Sequence, residues 1–465
     1  MAAACCDACA SASIPAAPVA IVSGPLQART VVPAQLVVLE ADSRPSRSRA
    51  ADRQLTIAGL LVSAGFVAAA AVSLTLPDPV RRGIWLPLHL GLAAAAGTAI
   101  ASVLPFFVAS LSVAPPVARV VRSAAIASVA GGASIASLGV VADVQVLGLA
   151  GALSFIAGLG TLAVATFWPL RRSVGPRRPL VLAAYGAAIA QVAVGVALAG
   201  AMIAGYAPVV ERWGLLKPAH AWLNVFGFLS VTVAATLVHL APTVAGARIV
   251  PRRNAVAALV GLVAGAPLIA LGLALGDDLV ARIGAGAELV GAVALVTHAL
   301  AVRRARGTWT TDPGWHRMTA WSLLVAPAWL LVAVGIAAGR ILWLGAVPSA
   351  WSLSGITVPL AIGWILQVLI GAWSQLLPAI GPGDRATHGR QRANLGRAAT
   401  GRLVALNLGV TLVVLGGTIP WTAPVIIGLV LAGGSVLVSL AVFVDAVLTR
   451  AADVVPESLV RAGGR

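Results

Sequence analysis

The 465 residues are 59% hydrophobic and only 10% charged, with a mean hydropathy of +0.97. A soluble domain of this length could not cover its surface with so few charges, so a lipid bilayer is the solvent for most of the chain. The net charge of +17 would suit a nucleic-acid partner. Yet the basic residues sit in short loops between apolar runs, and no basic stretch is interleaved with aromatics as a single-strand binder requires, which excludes nucleic acid.

Residues 1–52 are rich in Ala, Ser, Pro and Arg without a sustained period, and read as a disordered cytoplasmic N-terminal tail rather than a secretory signal. All three cysteines, Cys5, Cys6 and Cys9, lie there. No disulfide framework follows, and three thiolates lack the fourth ligand of a zinc site, leaving spare thiols or a weak soft-metal or redox site.

Apolar runs long enough to cross a hydrocarbon core of about 30 Å then follow in series. They span 55–76, 84–112, 123–142, 146–170, 180–206, 219–242, 255–276, 279–302, 316–339, 355–378, 400–419 and 422–448. The fold class is therefore an all-α integral membrane protein of about twelve transmembrane helices within residues 53–450, followed by a cytoplasmic C-terminal tail, 451–465. The division between the third and fourth runs is the least marked.

Charge orients the array. With the N-terminus inside, the cytoplasmic segments hold the arginine clusters around Arg44–Arg53, Arg119–Arg122, Arg171–Arg178, Arg248–Arg253, Arg303–Arg317 and Arg385–Arg402, and those of the C-terminal tail. Outside lie only Arg81, Arg82, Arg212, Lys217 and Arg340, with Arg282 opening the eighth helix. This is the positive-inside pattern of a plasma-membrane protein with both termini cytoplasmic.

Three helices running inward share a layout. The second begins near Pro87 and ends at Ser102-Val103-Leu104-Pro105, the sixth runs from Pro218 to Leu240-Ala241-Pro242, and the tenth from Pro359 to Leu376-Leu377-Pro378. The terminal prolines are 137 and 136 residues apart, one block of four helices. Three pseudo-repeats of four helices, about 53–179, 180–314 and 315–450, account for the membrane domain, with the second, sixth and tenth helices around a pseudo-threefold axis. Proline also commonly ends membrane helices, so coincidence stays open on sequence alone.

Polar groups in hydrocarbon are costly, so each is a candidate site. Of six histidines, His89 lies about a turn into the second helix and His220 opens the sixth, at similar depths near the outer end. Imidazole is a common ligand of haem iron and copper, so the pair is a candidate site for either; interfacial hydrogen bonding is the plainer alternative. His239 and His298, near the inner ends of the sixth and eighth helices, form a second candidate pair or sit at headgroup level. His316 and His388 belong to cytoplasmic loops and are expected to be solvated. Supporting polar candidates are Gln191, Asn224, Glu288, Gln367 and Gln375. Asn224 shares a face with His220 by i, i+4 spacing. Glu288 has Arg282 or a neighbouring histidine as its expected partner, and the amides are expected to bond between helices. Asn407 and Asp445 fall near the inner boundary. Trp85, Trp213, Trp222, Trp343 and Trp351 read as an outer interfacial belt. No phosphate loop, paired carboxylate or nucleophile motif is present.

The stretch His220-Ala221-Trp222-Leu223-Asn224-Val225-Phe226-Gly227-Phe228, continuing to Thr236 and Pro242-Thr243-Val244, resembles actinobacterial membrane proteins and the membrane domains of copper-oxidase or nitrite-reductase-like proteins. So do Gly363-Trp364-Ile365-Leu366-Gln367 through Pro378, and His89 through Gly97-Thr98 to Pro105-Phe106-Phe107. More distantly the chain resembles NnrS-type proteins and the haem–copper oxidase superfamily. That resemblance implies twelve helices in three arcs, with ligands on the second, sixth and tenth. Trp222 stands where the family has a second histidine in the sixth-helix motif, the seventh helix lacks the paired histidines, and the tenth has none. A binuclear oxygen-reducing centre is thus not expected. The resemblance implies at most one haem or copper ion on His89 and His220, with an unidentified redox partner. The alternative is a secondary transporter of a small molecule whose polar residues line a path. An enzyme acting on a lipid or isoprenoid has no support beyond the buried setting.

Overall fold

The computed structural model describes residues 47–175, 178–247, 252–306, 314–353, 355–380, 384–418 and 422–449; the cysteines, the expected C-terminal tail and residues 1–46 of the expected N-terminal tail lie outside them, while residues 47–52 of that tail begin the first helix, Arg47–Ser73. Among the described residues, twelve helices are long and apolar enough to cross a membrane. They are α1 Asp52–Ser73, α2 Trp85–Leu111, α3 Arg119–Val141, α4 Gln145–Arg172, α5 Pro179–Ile203 and α6 Trp213–Ala245. The series continues with α7 Arg252–Leu275, α8 Asp278–Ala305, α9 Trp315–Leu344, α10 Pro359–Ile380, α11 Ala399–Gly417 and α12 Thr422–Leu448. No strand occurs among the described residues. The protein is an integral, multi-pass membrane protein, because only helices that satisfy their own backbone can carry this much apolar surface through lipid.

The weakly marked division between α3 and α4 is real. Ala142–Val144 forms a turn in which Asp143 takes a left-handed φ of 54°. The two helices return antiparallel at backbone contact: a Cβ on Gly139 would lie 2.2 Å from the Gly148 nitrogen. The matching pairs α7–α8 and α11–α12 close in the same way, through Gly261 against Ala287 O and Gly409 against Ala432 N, each 2.6 Å from a built Cβ. Small residues permit such close approach in lipid, where hydrophobic burial supplies little drive between helices.

The most buried spans are α2, α6 and α10, with 72, 72 and 61% of their apolar windows inside the bundle. Each opens over two turns or so from α-helical to π-helical hydrogen bonding: His89–Ala96 in α2, Trp222–Ser230 in α6 and Pro359–Leu366 in α10. The first stretch contacts both of the others. Three central helices, each broken at a corresponding place about a block length apart, surround one axis.

Two sequence expectations about the ends of the bundle need correction. The tenth connection is not an open loop: an 11-residue helix, Arg385–Leu395, starts on an Asp384 cap and packs along α9, α10 and α12. His388 lies in this helix, half-buried. His316 is 5% exposed rather than solvated, because α9 begins at Trp315, and its Nε2 donates to Val244 O at 2.9 Å.

Candidate functional site

His89 sits one turn inside α2, at the start of the π-helical stretch. Its Nδ1 is 2.8 Å from Trp85 O, and its ring stacks on the Trp85 indole at 4.0 Å between centroids. A carbonyl only accepts, so Nδ1 carries the hydrogen and Nε2 presents its lone pair.

His220 does not open its helix, as the sequence suggested. α6 begins at Trp213, two turns earlier, which places His220 deeper, immediately before the second π-helical stretch. Its Nδ1 donates to Gly195 O of α5 at 2.8 Å. Asn224 lies on the same face, donates to His220 O at 2.7 Å and places its amide nitrogen against the ring, 2.9 Å from Nδ1 and 3.3 Å from Nε2. Its oxygen is buried without a partner against Gly195.

The two histidines lie at the starts of the first and second π-helical stretches, which contact one another. Both are anchored through Nδ1 to a backbone carbonyl, the arrangement that fixes a metal-binding histidine's tautomer and ring orientation. Both lie toward the arginine-poor end. Trp222, read as part of the interfacial belt, is instead fully buried beside this site, stacked obliquely on Phe226 and edge-on to Trp351, with its indole N–H unpartnered.

His239 and His298 lie on α6 and α8, two helices in contact. His298 rests against Val238 O without closing a regular hydrogen bond. Pro242, four residues on, deprives that carbonyl of its helical donor. The Arg178 guanidinium stands 3.3 Å from His239 Nδ1, and a permanent positive charge so close opposes a metal cation there.

The other polar candidates scatter. Gln191 donates to Val263 O of α7 at 3.2 Å while its oxygen presses on Gly227. Glu288 is fully buried at the α7–α8 contact, its Oε2 packed over Gly265, and neither oxygen closes a hydrogen bond. Arg282, its expected partner, turns away to Asp278 at 4.0 Å. Gln367 is fully buried with no side-chain hydrogen bond, and Gln375 Oε1 is likewise unpartnered. Asn407, passed over in the sequence, accepts from Trp329 Nε1 at 2.7 Å inside the third block.

A second feature has no counterpart among the sequence expectations. Between α2, α6 and α10, on the arginine-rich side of the π-helical stretches, lies a cavity of about 90 Å³ lined by Ala96, Leu229, Thr232 and Ile365 among others. At the level where it begins, Trp364 Nε1 donates to Ser230 Oγ at 3.1 Å, tying α10 to α6.

The donor set limits what the histidine site holds. Among the described residues no three His, Cys, Asp or Glu side chains gather as metal ligands, so a zinc or copper(II) site with three or four protein ligands is not formed. Two imidazoles match either the axial positions of a haem or one two-coordinate copper(I) ion. A haem also needs a slot for its macrocycle beside both rings, but the axial cavity is small and lined by neither histidine.

Comparison with known proteins returns no matching family, and no curated protein matches the chain.

Proposed function

We propose that this membrane protein is a three-block relative of the haem–copper oxidase fold, reduced to a single two-histidine site that holds one copper ion on His89 and His220. The observation that carries this reading is the shared anchoring of both Nδ1 atoms on backbone carbonyls at 2.8 Å, which leaves both Nε2 atoms as the free ligand atoms of two contacting π-helical stretches. Rings fixed in this way bind with less ordering cost than mobile ones. Irregular helical hydrogen bonding at the same place supports it, since π-helical turns concentrate at functional sites. Bound copper would supply a soft Lewis-acidic, redox-capable centre; Asn224, which donates to His220 O and packs against its ring, holds the imidazole in place. In the bilayer the arginine-rich end faces the cytoplasm of the cell, in keeping with the positive-inside rule, and the site faces the outer leaflet.

The test uses full-length protein in detergent with all three cysteines replaced by serine, titrated with copper(I) under reducing conditions against a chromogenic chelator. One equivalent bound, lost in both His89→Ala and His220→Ala but retained in His239→Ala, supports the site. Copper binding unchanged in His89→Ala refutes it, and a Soret band dependent on His89 would replace copper with haem. Reporter fusions after Arg397 and after Pro348 settle the orientation.

A second reading, a small-molecule permease, draws on the axial cavity and the three interrupted helices around it, features also found where transporters bind substrates. Substrate-dependent transport into proteoliposomes by the His89→Ala variant would favour it.

A further inference from the structure

We infer that the axial cavity is a binding site for a small, uncharged, mostly hydrocarbon molecule carrying one hydrogen-bonding group, and that Thr232 recognises that group. The site is separate from the histidine pair and stands whether or not copper binds there.

Three observations carry it. The walls come from all three central helices and are hydrocarbon almost throughout: Ala96 and Ile100 of α2, Leu229 and Val233 of α6, and Ile365 and Leu369 of α10. The volume is about 90 Å³, whereas an engineered apolar cavity of about 150 Å³ stays dry and admits benzene. The site therefore suits a molecule of about three or four heavy atoms, or the end of a longer chain.

The third observation gives the ligand its polar atom. Two hydroxyls line the space, those of Thr232 and Thr236. Thr236 is spoken for: it donates to Thr232 O at 2.8 Å and pairs with the Tyr185 hydroxyl at 3.0 Å. Thr232 is 4% exposed, and its Oγ1 has no partner. A buried hydroxyl without a partner costs free energy that a ligand's donor or acceptor recovers. Water is a poor occupant, because it needs two to four polar partners and this wall offers one. A charged ligand is excluded for the same reason, since no side chain of opposite sign lines the cavity. A short-chain alcohol meets every requirement.

The experiment uses the full chain in detergent with Cys5, Cys6 and Cys9 replaced by serine. Ala372→Cys, on the cavity wall, reports occupancy through its rate of reaction with methyl methanethiosulfonate, and Leu153→Cys, 67% exposed on α4, controls for partitioning into the micelle. 1-Pentanol should slow modification at position 372 at least fivefold while leaving position 153 unchanged. Thr232→Val should raise the pentanol concentration needed by about fivefold, the worth of one neutral hydrogen bond, and leave protection by n-pentane unaltered. Thr232→Ser, which restores the hydroxyl, should return the preference for the alcohol, and it serves as the readout where the valine variant fails to fold. Equal slowing at both cysteines, or an alcohol preference unmoved by Thr232→Val, overturns the proposal.

Discussion

The hydrogen bond from Trp364 to Ser230 joins two π-helical stretches that lie 134 residues apart in the chain. Both residues are fully buried, so neither group has water as an alternative partner. Hydrogen bonds between membrane helices are worth about 0.6 kcal/mol on average and up to about 1.7 kcal/mol. Trp364→Phe removes the donor while keeping most of the ring, and Ser230→Ala removes the acceptor. In a double-mutant cycle read by thermal unfolding in detergent, the two changes should couple by about 0.5–1.5 kcal/mol. Additive losses would mean that the indole acts here through packing alone.

Gln191 supports the backbone of α7. Pro267 has no N–H to give to Val263 O, four residues earlier, and the Gln191 amide donates to that carbonyl instead, at 3.2 Å. Gln191→Leu orphans the carbonyl and should lower stability by about 1–3 kcal/mol. Pro267→Ala restores the helical donor, so in that background the same change should cost distinctly less. Identical costs in the two backgrounds, measured as shifts in the unfolding midpoint, would show that the amide acts elsewhere.

This pair also shows how far the sequence could be read. Gln191 stood out as polar in an apolar run, but its service to the carbonyl that Pro267 leaves open depends on which face of α5 meets α7, and spacing along one strand of sequence does not contain that. Helix number and extent were legible because apolar length against bilayer thickness is a one-dimensional property. So was the centrality of α2, α6 and α10, through Pro105, Pro242 and Pro378. The switch to π-helical bonding was not, since Leu90-Gly91-Leu92-Ala93 carries no pattern that separates it from an ordinary membrane helix. Nor was the depth of His220: the apolar count began after Lys217, whereas the helix runs back through that charge to Trp213.

Glu288 and Gly265 set the spacing of α7 and α8. A Cβ at position 265 would lie 2.4 Å from Glu288 Oε2 and 2.7 Å from its backbone nitrogen. The side chain has room to swing away but the backbone does not. Gly265→Ala should therefore destabilise by about 1–3 kcal/mol, and adding Glu288→Ala should recover only part of the loss. Full recovery in the double variant would locate the conflict in the carboxyl rather than in helix spacing.

Arg122, one of the arginines that mark the cytoplasmic side in the sequence, is 1% exposed at the foot of α3. It binds the Asp52 carboxylate and donates to Asp52 O at 2.9 Å and Thr56 Oγ1 at 3.0 Å, clamping α1 to α3. Removing one member leaves an uncompensated buried charge, at a cost of about 3–5 kcal/mol. Asp52→Ala should reduce the folded yield sharply, and Asp52→Ala with Arg122→Met should restore most of it. A double variant no better than the single one would mean that the arginine's hydrogen bonds, not its charge, hold the clamp.

Asp384 offers a pH test outside the membrane spans. Its carboxylate accepts from the Thr387 amide at 2.8 Å and caps the Arg385–Leu395 helix. Those hydrogen bonds, from the Thr387 backbone first and its hydroxyl second, hold the carboxyl below its ordinary value. A depressed acid stabilises the folded form above its unfolded pKa of about 3.9, and the stabilisation fades as pH falls through the lower folded value. Amide exchange in the first turn should accordingly quicken in acid by more than the intrinsic chemistry requires. Asp384→Asn retains an oxygen cap without a titrating group, so the difference between the two proteins isolates the carboxylate. The excess should vanish in the variant; matching acid profiles would show that the helix start is held by its packing on α12 and not by its cap.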